Sequence, residues 1–147
     1  MTEPATTVDA VVVVESFLRA LERSDLDTAL GLVSGDLEYI NVSLPTVHGR
    51  AGLARLARPL LRPGRMSFAV CIHHIAAGGD VVLTDRYDEI TFGRLHIRFW
   101  VYGRFTVRDG QIAIWRDSFD WLDFTVGLLR GLAGVLIPAA ARRMPQL

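Results

Sequence analysis

Polar side chains recur two residues apart in three otherwise apolar stretches: Tyr39-Ile40-Asn41, Arg86-Tyr87-Asp88 and Trp115-Arg116-Asp117. Side chains two apart along a strand share one face of its sheet. Tyr39 and Asn41 then fall with Leu37, Arg86 and Asp88 with Val82, Thr84 and Ile90, and Asp117 with Trp115 and Phe119. If that face lines an apolar interior, the charges on it must be paired, because an isolated buried carboxylate is costly. Two carboxylates with one arginine between them form a satisfiable set, in which one aspartate is ionised and the other keeps its proton. Such a pair supplies one acid and one base to a single pocket. The same spacing also suits exposed strand charges or structural ion pairs, and spacing alone leaves those readings open.

The elements that must position these residues follow from periodicity. Val11, Val14, Phe17, Leu18 and Leu21 recur at helical spacing and predict a first helix from Val8 to Arg23. A shorter helix starts at Asp25 and runs to Val33, ended by Gly35, and a strand is expected at Leu37–Val42. After the Leu44-Pro45 turn, Gly49 to Leu61 reads as a third helix. From Arg65 the period becomes two, with strands expected at Met66–Ala76, Val81–Phe92, Leu95–Val107 and Gln111–Phe119. Gly78-Gly79-Asp80, Gly93-Arg94 and Asp109-Gly110 are the turns between them. A last helix is expected over Leu122–Arg142. This order is α+β: a curved sheet forms a cone against the N-terminal helices, and the C-terminal helix helps to enclose an apolar pocket. It resembles the nuclear-transport-factor-2-like (SnoaL-like) cone fold, which hosts many unrelated activities.

The 147 residues suit one domain spanning 1–147. Half are hydrophobic and 22% charged, enough apolar material for a core. Sixteen basic residues balance sixteen acidic ones, so the chain lacks the basic excess that nucleic-acid binding selects for. The single cysteine, Cys71, excludes an internal disulfide or a multi-cysteine zinc site. The N-terminal MTEPATTVDA lacks the basic start and apolar run of a signal peptide, and a cytoplasmic location is expected. The apolar zone Phe124–Ala141 is broken by Arg130, Pro138 and three glycines, whereas a spanning helix needs about 20 apolar residues. No transmembrane segment is expected.

The segments Tyr39-Ile40-Asn41, Thr84-Asp85-Arg86-Tyr87-Asp88 and Trp115-Arg116-Asp117-Ser118-Phe119-Asp120 resemble those of the limonene-1,2-epoxide hydrolase family. Their order, intervals and the Leu44-Pro45…Gly49-Arg50 turn agree as well, so the likeness covers residues 11–131. Ser118 departs from it, standing where the family often has tyrosine. The resemblance implies a one-step hydrolysis without covalent intermediate, metal or cofactor. Asp117 would be the general base on a water held by Tyr39 and Asn41, Asp88 the acid that protonates the epoxide oxygen, and Arg86 the bridge between them. It also implies a homodimer. The partners expected are a lipophilic epoxide and water.

Substrate-binding walls are expected from Ile90, Phe99, Val101 and Phe119, with the apolar tail around Leu128, Leu129 and Leu132 covering the mouth. Adjacent His73 and His74 point to opposite faces of a strand and read as structural, as does Cys71 in mid-strand. Two other functions suit the same pattern: a ketosteroid-isomerase-like or polyketide-cyclase-like proton-transfer enzyme, and a non-catalytic lipid-binding module. Neither needs an arginine bridging two aspartates.

Overall fold

A computed structural model describes residues 5–141 and 143–145, with side chains from Ala10 onward. Helix α1 (Ala5–Glu22) buries Val14, Phe17 and Leu18, the predicted apolar face. Its last turn anchors strand β3 (Ser67–Gly78): Arg19 donates to the Val70 carbonyl at 3.1 Å, and Glu22 accepts from the Val70 N–H at 2.8 Å. Helix α2 (Leu26–Gly31) starts on Asp25, whose carboxylate accepts from the Thr28 N–H.

The first strand differs from the sequence expectation. Strand β1 (Val33–Asn41) begins four residues early, and α2 stops before Val33. Strand β6 (Gln111–Phe119) claims this segment: Val33 pairs with Ile112, and the Ile112 N–H donates to the Leu32 carbonyl. Tertiary pairing thus overrides the local helical pattern, and Gly35 falls inside the register shift between Val33 and Glu38. A two-residue strand, β2 (Val47–His48), precedes helix α3 (Gly49–Leu60).

Strands β4 (Val81–Phe92) and β5 (Leu95–Arg108) complete a six-stranded sheet of order β2-β1-β6-β5-β4-β3. Only β1 and β6 pair in parallel, so the sheet is mixed. Register shifts at Ile72/His74 and Thr106/Val107 add local twist and help the sheet to curl. Asp109 and Gly110 both have positive φ, as the tight hairpin joining β5 to β6 requires.

Helix α4 (Trp121–Leu136) is shorter than expected; the chain leaves it before Pro138 and makes a 3-10 turn at Pro138–Ala140. The end expected at Arg142 lies outside the described residues. Pairing of β5 with β6 begins at Val101, and α4 packs on β5, taking over the edge beyond that point. Gly127 and Gly131 press against the Arg98 and His96 carbonyls, where a Cβ would collide, and Asp123 accepts from the Trp100 N–H at 2.8 Å. The edge that β6 leaves open is thereby covered by a helix. Among the described residues no helix is long and apolar enough to cross a membrane.

Candidate active site

The three motifs converge on the concave face of the sheet. Thr84 on β4, Gly103 on β5, Asp117 on β6 and Asn41 on β1 form one row across four strands. Arg86 and Asp88 follow along β4, opposite Val101 and Phe99. Arg86 and Asp117 stand on strands separated by β5, and the guanidinium spans the gap. It can do so because position 103 carries no side chain: a Cβ there would collide with Nη1 of Arg86 and stand 2.5 Å from Oγ1 of Thr84.

Arg86 is fully buried, and its guanidinium is satisfied from several sides. Nε donates to Asp88 at 2.8 Å and Nη2 at 3.1 Å; Nη2 also donates to Asp117 Oδ2 at 2.9 Å, and Nη1 to the Thr84 hydroxyl at 3.0 Å. The Phe105 ring lies 6.0 Å beneath it. Both aspartates are buried. Burial alone would lower the arginine's pKa, but the two carboxylates outweigh it and hold Arg86 charged. One cation between two carboxylates is electrically neutral only with one proton on the pair.

Of the two, Asp88 is the carboxyl that its surroundings push towards the protonated form. Burial pushes its pKa up to about 6, against the opposing pull of Arg86 and with help from the Asp117 charge. Asp117 keeps one carboxylate oxygen, Oδ1, buried without a hydrogen-bond partner in the protein. Asn41 sits beside it in the ladder and donates to the Tyr39 hydroxyl, while the Tyr39 ring stacks on Trp115 at 3.9 Å. Burial, and then the Asp117 charge, raise the Tyr39 pKa and keep the phenol protonated. An acceptor oxygen, an amide and a hydroxyl thus stand at neighbouring positions of two paired strands.

Above these groups lies a cavity of about 310 Å³ whose walls are hydrocarbon. Ile90, Phe99, Val101 and Phe119 line it, as do Tyr39, Asn41, Asp88 and Asp117 at its polar end. Leu132 does not. It is 45% exposed and away from the cavity, because Gly131, not its neighbour, faces the β5 backbone and turns position 132 outward. Leu129 is exposed too, and Leu128 packs behind Phe99 without reaching the cavity. From α4 it is Trp121 and Phe124 that contribute.

The opposite wall, Leu53, Leu56, Ala57 and Leu60 of α3 with Met66, escaped the sequence reading, although its leucine spacing carried the signal. Gly103 escaped it as well. A glycine inside a strand pattern marks close approach of another group, here a guanidinium.

The bulge at His73 breaks the alternation expected of the histidine pair: His73 stacks on Trp100 at 5.2 Å and His74 meets Asp85 at 3.1 Å, both on the outer face. Cys71 is buried and free. Asp120 caps α4, accepting from the Leu122 and Asp123 N–H groups. Among the described residues no three His, Cys, Asp or Glu side chains converge as a metal-ligand set.

The chain is similar to known proteins along most of its length. Residues 8–130 match the limonene-1,2-epoxide hydrolase catalytic domain. The chain is 44% identical over 126 residues to the epoxide hydrolase EphG of Mycobacterium tuberculosis (strain ATCC 25618 / H37Rv), covering 86% of this chain and 83% of that protein. The solved structure of an M. tuberculosis LEH-like epoxide hydrolase superposes with a TM-score of 0.91 at 41% identity, covering 97% of this chain and all of that one. An NTF2-like protein from Burkholderia xenovorans LB400, 21% identical, superposes with a TM-score of 0.67 over 83% of this chain and 97% of its own, and shows the shared cone fold.

Proposed function

This chain belongs to the limonene-1,2-epoxide hydrolase family and is an epoxide hydrolase, and we propose that it opens a lipophilic epoxide in one step by acid- and base-assisted attack of water. The observation that carries this reading is Arg86, buried between Asp88 and Asp117 at the polar end of a hydrocarbon cavity. A strained ether leaves poorly until protonated, and water attacks poorly until a base takes its proton; the site supplies both groups at once.

In the reaction, water held by Tyr39, Asn41 and the open oxygen of Asp117 forms a bond to one epoxide carbon and gives its proton to Asp117. The ring C–O bond breaks as Asp88 protonates the departing oxygen. Atoms balance as epoxide plus water to vicinal diol. Asp117 ends protonated and Asp88 ionised, and a proton exchanged between them or with solvent restores the resting state. Arg86 offsets the negative charge in both states. Isomerase and cyclase chemistry on this fold needs no such bridge.

The apolar walls favour a substrate without polar groups beside the epoxide, since none would find a partner there. The outer sheet face, where His73, Tyr87 and Trp100 stack and Tyr102 is exposed, is the proposed homodimer contact. The free Cys71 fits the proposed cytoplasmic location. Asp117→Asn and Asp88→Asn test the assignment: each should cost about 10²–10⁴-fold in kcat on a lipophilic epoxide, with circular dichroism unchanged. Retention of more than about a tenth of kcat by a folded variant would reject the role of that residue, given the usual size of the effect.

A further inference from the structure

The sixteen acidic residues are spread unevenly. None falls between Glu38 and Asp80, a stretch that holds Arg50, Arg55, Arg58, Arg62 and Arg65. Arg50 turns inward and donates to the Val33 carbonyl. The other four, on α3 and the turn after it, are exposed. Of these, Arg58 meets Asp27 only loosely, at 3.6 Å in solvent, and Arg65 donates to the Pro59 carbonyl at 3.3 Å.

The same helix forms one wall of the cavity. Leu53 and Ala57 are buried there, while Leu56 and Leu60 stand at the rim, 43% and 36% exposed. Leu44 and Trp121, each 47% exposed, add to that rim from the β1–β2 turn and the start of α4. The cavity is therefore bordered by water-facing hydrocarbon, and Arg62 and Arg65 stand in the turn between Leu61 and Met66, both of which line it, whereas helical spacing places Arg55 and Arg58 on the far face of α3. Exposed apolar groups rimmed by charge mark an interaction surface. Such a rim suits the interface of an anionic bilayer, where Leu44, Leu56, Leu60 and Trp121 enter the acyl boundary and the cations beside them meet headgroups.

We propose that the rim of the cavity, with the end of α3 and the turn after it, docks on an anionic lipid surface, with the cavity facing the acyl chains. A lipophilic epoxide would then pass from the bilayer to Asp88 and Asp117 without crossing water. That use of the surface rests on the hydrolase reading above; the docking itself does not. Charge complementarity selects the occupant: the hydrocarbon rim disfavours a soluble polyanion, and the arginines disfavour a neutral bilayer. The proposed dimer contact on the outer sheet face leaves the rim free.

The binding test uses the full chain without epoxide, and diol formation is assayed separately. Sedimentation with phosphatidylcholine vesicles is compared with vesicles carrying phosphatidylglycerol as about a third of the lipid. Partition should be at least about tenfold stronger on the anionic vesicles and should fall with salt, at about fivefold per arginine engaged. Tryptophan emission should shift to the blue on binding, and Trp121→Phe should remove the shift. The combined variant Arg62→Gln/Arg65→Gln should lose at least about tenfold in partition and still turn over a small water-soluble epoxide, whereas Arg55→Gln/Arg58→Gln, on the far face of α3, should bind as the parent does. Equal binding to both vesicles, no binding, or an Arg62→Gln/Arg65→Gln variant that binds as the parent does would overturn the proposal. So would a dimer that dissociates on Leu56→Ser/Leu60→Ser, which would assign the rim to a second copy. Vesicle binding that fails while diol still forms refutes docking alone; absence of diol formation with binding intact refutes the hydrolase mechanism alone.

Discussion

Gly103 and Arg86 lie on neighbouring strands and share one volume: the guanidinium of Arg86 occupies the space that a side chain at position 103 would fill. Through that opening the arginine reaches from β4 past β5 to Asp117 on β6, 2.9 Å away. The link between acid and base in this site depends on a missing methyl group in a strand that belongs to neither.

Gly103→Ala should therefore displace Arg86 and loosen its contact with Asp117. Overpacking of a filled interior costs about 1–3 kcal/mol, which urea denaturation would register. The larger effect should fall on kcat, by at least about tenfold, since misplacement near an ångström costs about a hundredfold in well-placed sites. A variant with parental kcat would show that the arginine does not depend on this opening.

The pH profile follows from Asp88. Its pKa is raised to about 6, chiefly by burial, so the folded protein holds this proton at pH values where an ordinary aspartate has lost it. The general acid is present below that pKa and absent above it, so kcat/KM should fall as pH rises through about 6. Stability has the same sign. Between the unfolded value and about 6 the native state binds the extra proton, so this contribution is present at low pH and lost as pH rises through the folded pKa. The difference in stability between the parent and Asp88→Asn, measured by denaturation from pH 4 to 7, should decline across that window. A kcat/KM that climbs from pH 5.5 to 7.5 would contradict the assignment of the acid.

Cavity shape bears on substrate length. The rim is open and apolar, so a chain can extend past the site and bury further methylenes against Leu56, Leu60 and Trp121. Each buried methylene contributes up to about 0.8 kcal/mol. A long-chain or polycyclic epoxide should accordingly exceed cyclohexene oxide in kcat/KM by at least about tenfold. A clear preference for the compact epoxide would mean that the cavity is used as a closed one.

Much of the site was legible because strand parity is rigid. Once Tyr39, Asn41, Arg86, Asp88 and Asp117 are placed on strands, period two sends them to one face, and the sheet order brings them together. The bounds of β4 and β6 were readable for a similar local reason, since Gly79, Gly93 and the Asp109-Gly110 turn fix the hairpin ends. What stayed hidden depends on partners distant in sequence. The start of β1 is set by Ile112, some eighty residues on, against the local helical pattern. Which face of α4 meets the sheet is set by the Arg98 and His96 carbonyls, and this turned Leu132 outward where hydropathy alone pointed it in. The leucine spacing of α3 marked its apolar face, but which surface of the sheet that face would cover depends on tertiary packing.

The most direct measurement of the mechanism is a single turnover in water enriched in heavy oxygen, with enzyme in excess over epoxide. Mass spectrometry of diol and protein then locates the label. Direct attack by the water beside Asp117 predicts one heavy oxygen in every diol and none in the peptides that carry Asp88 and Asp117. Label in either aspartate, with unlabelled diol from the first turnover, would mean a carboxylate nucleophile and an ester intermediate, and would contradict the one-step reaction.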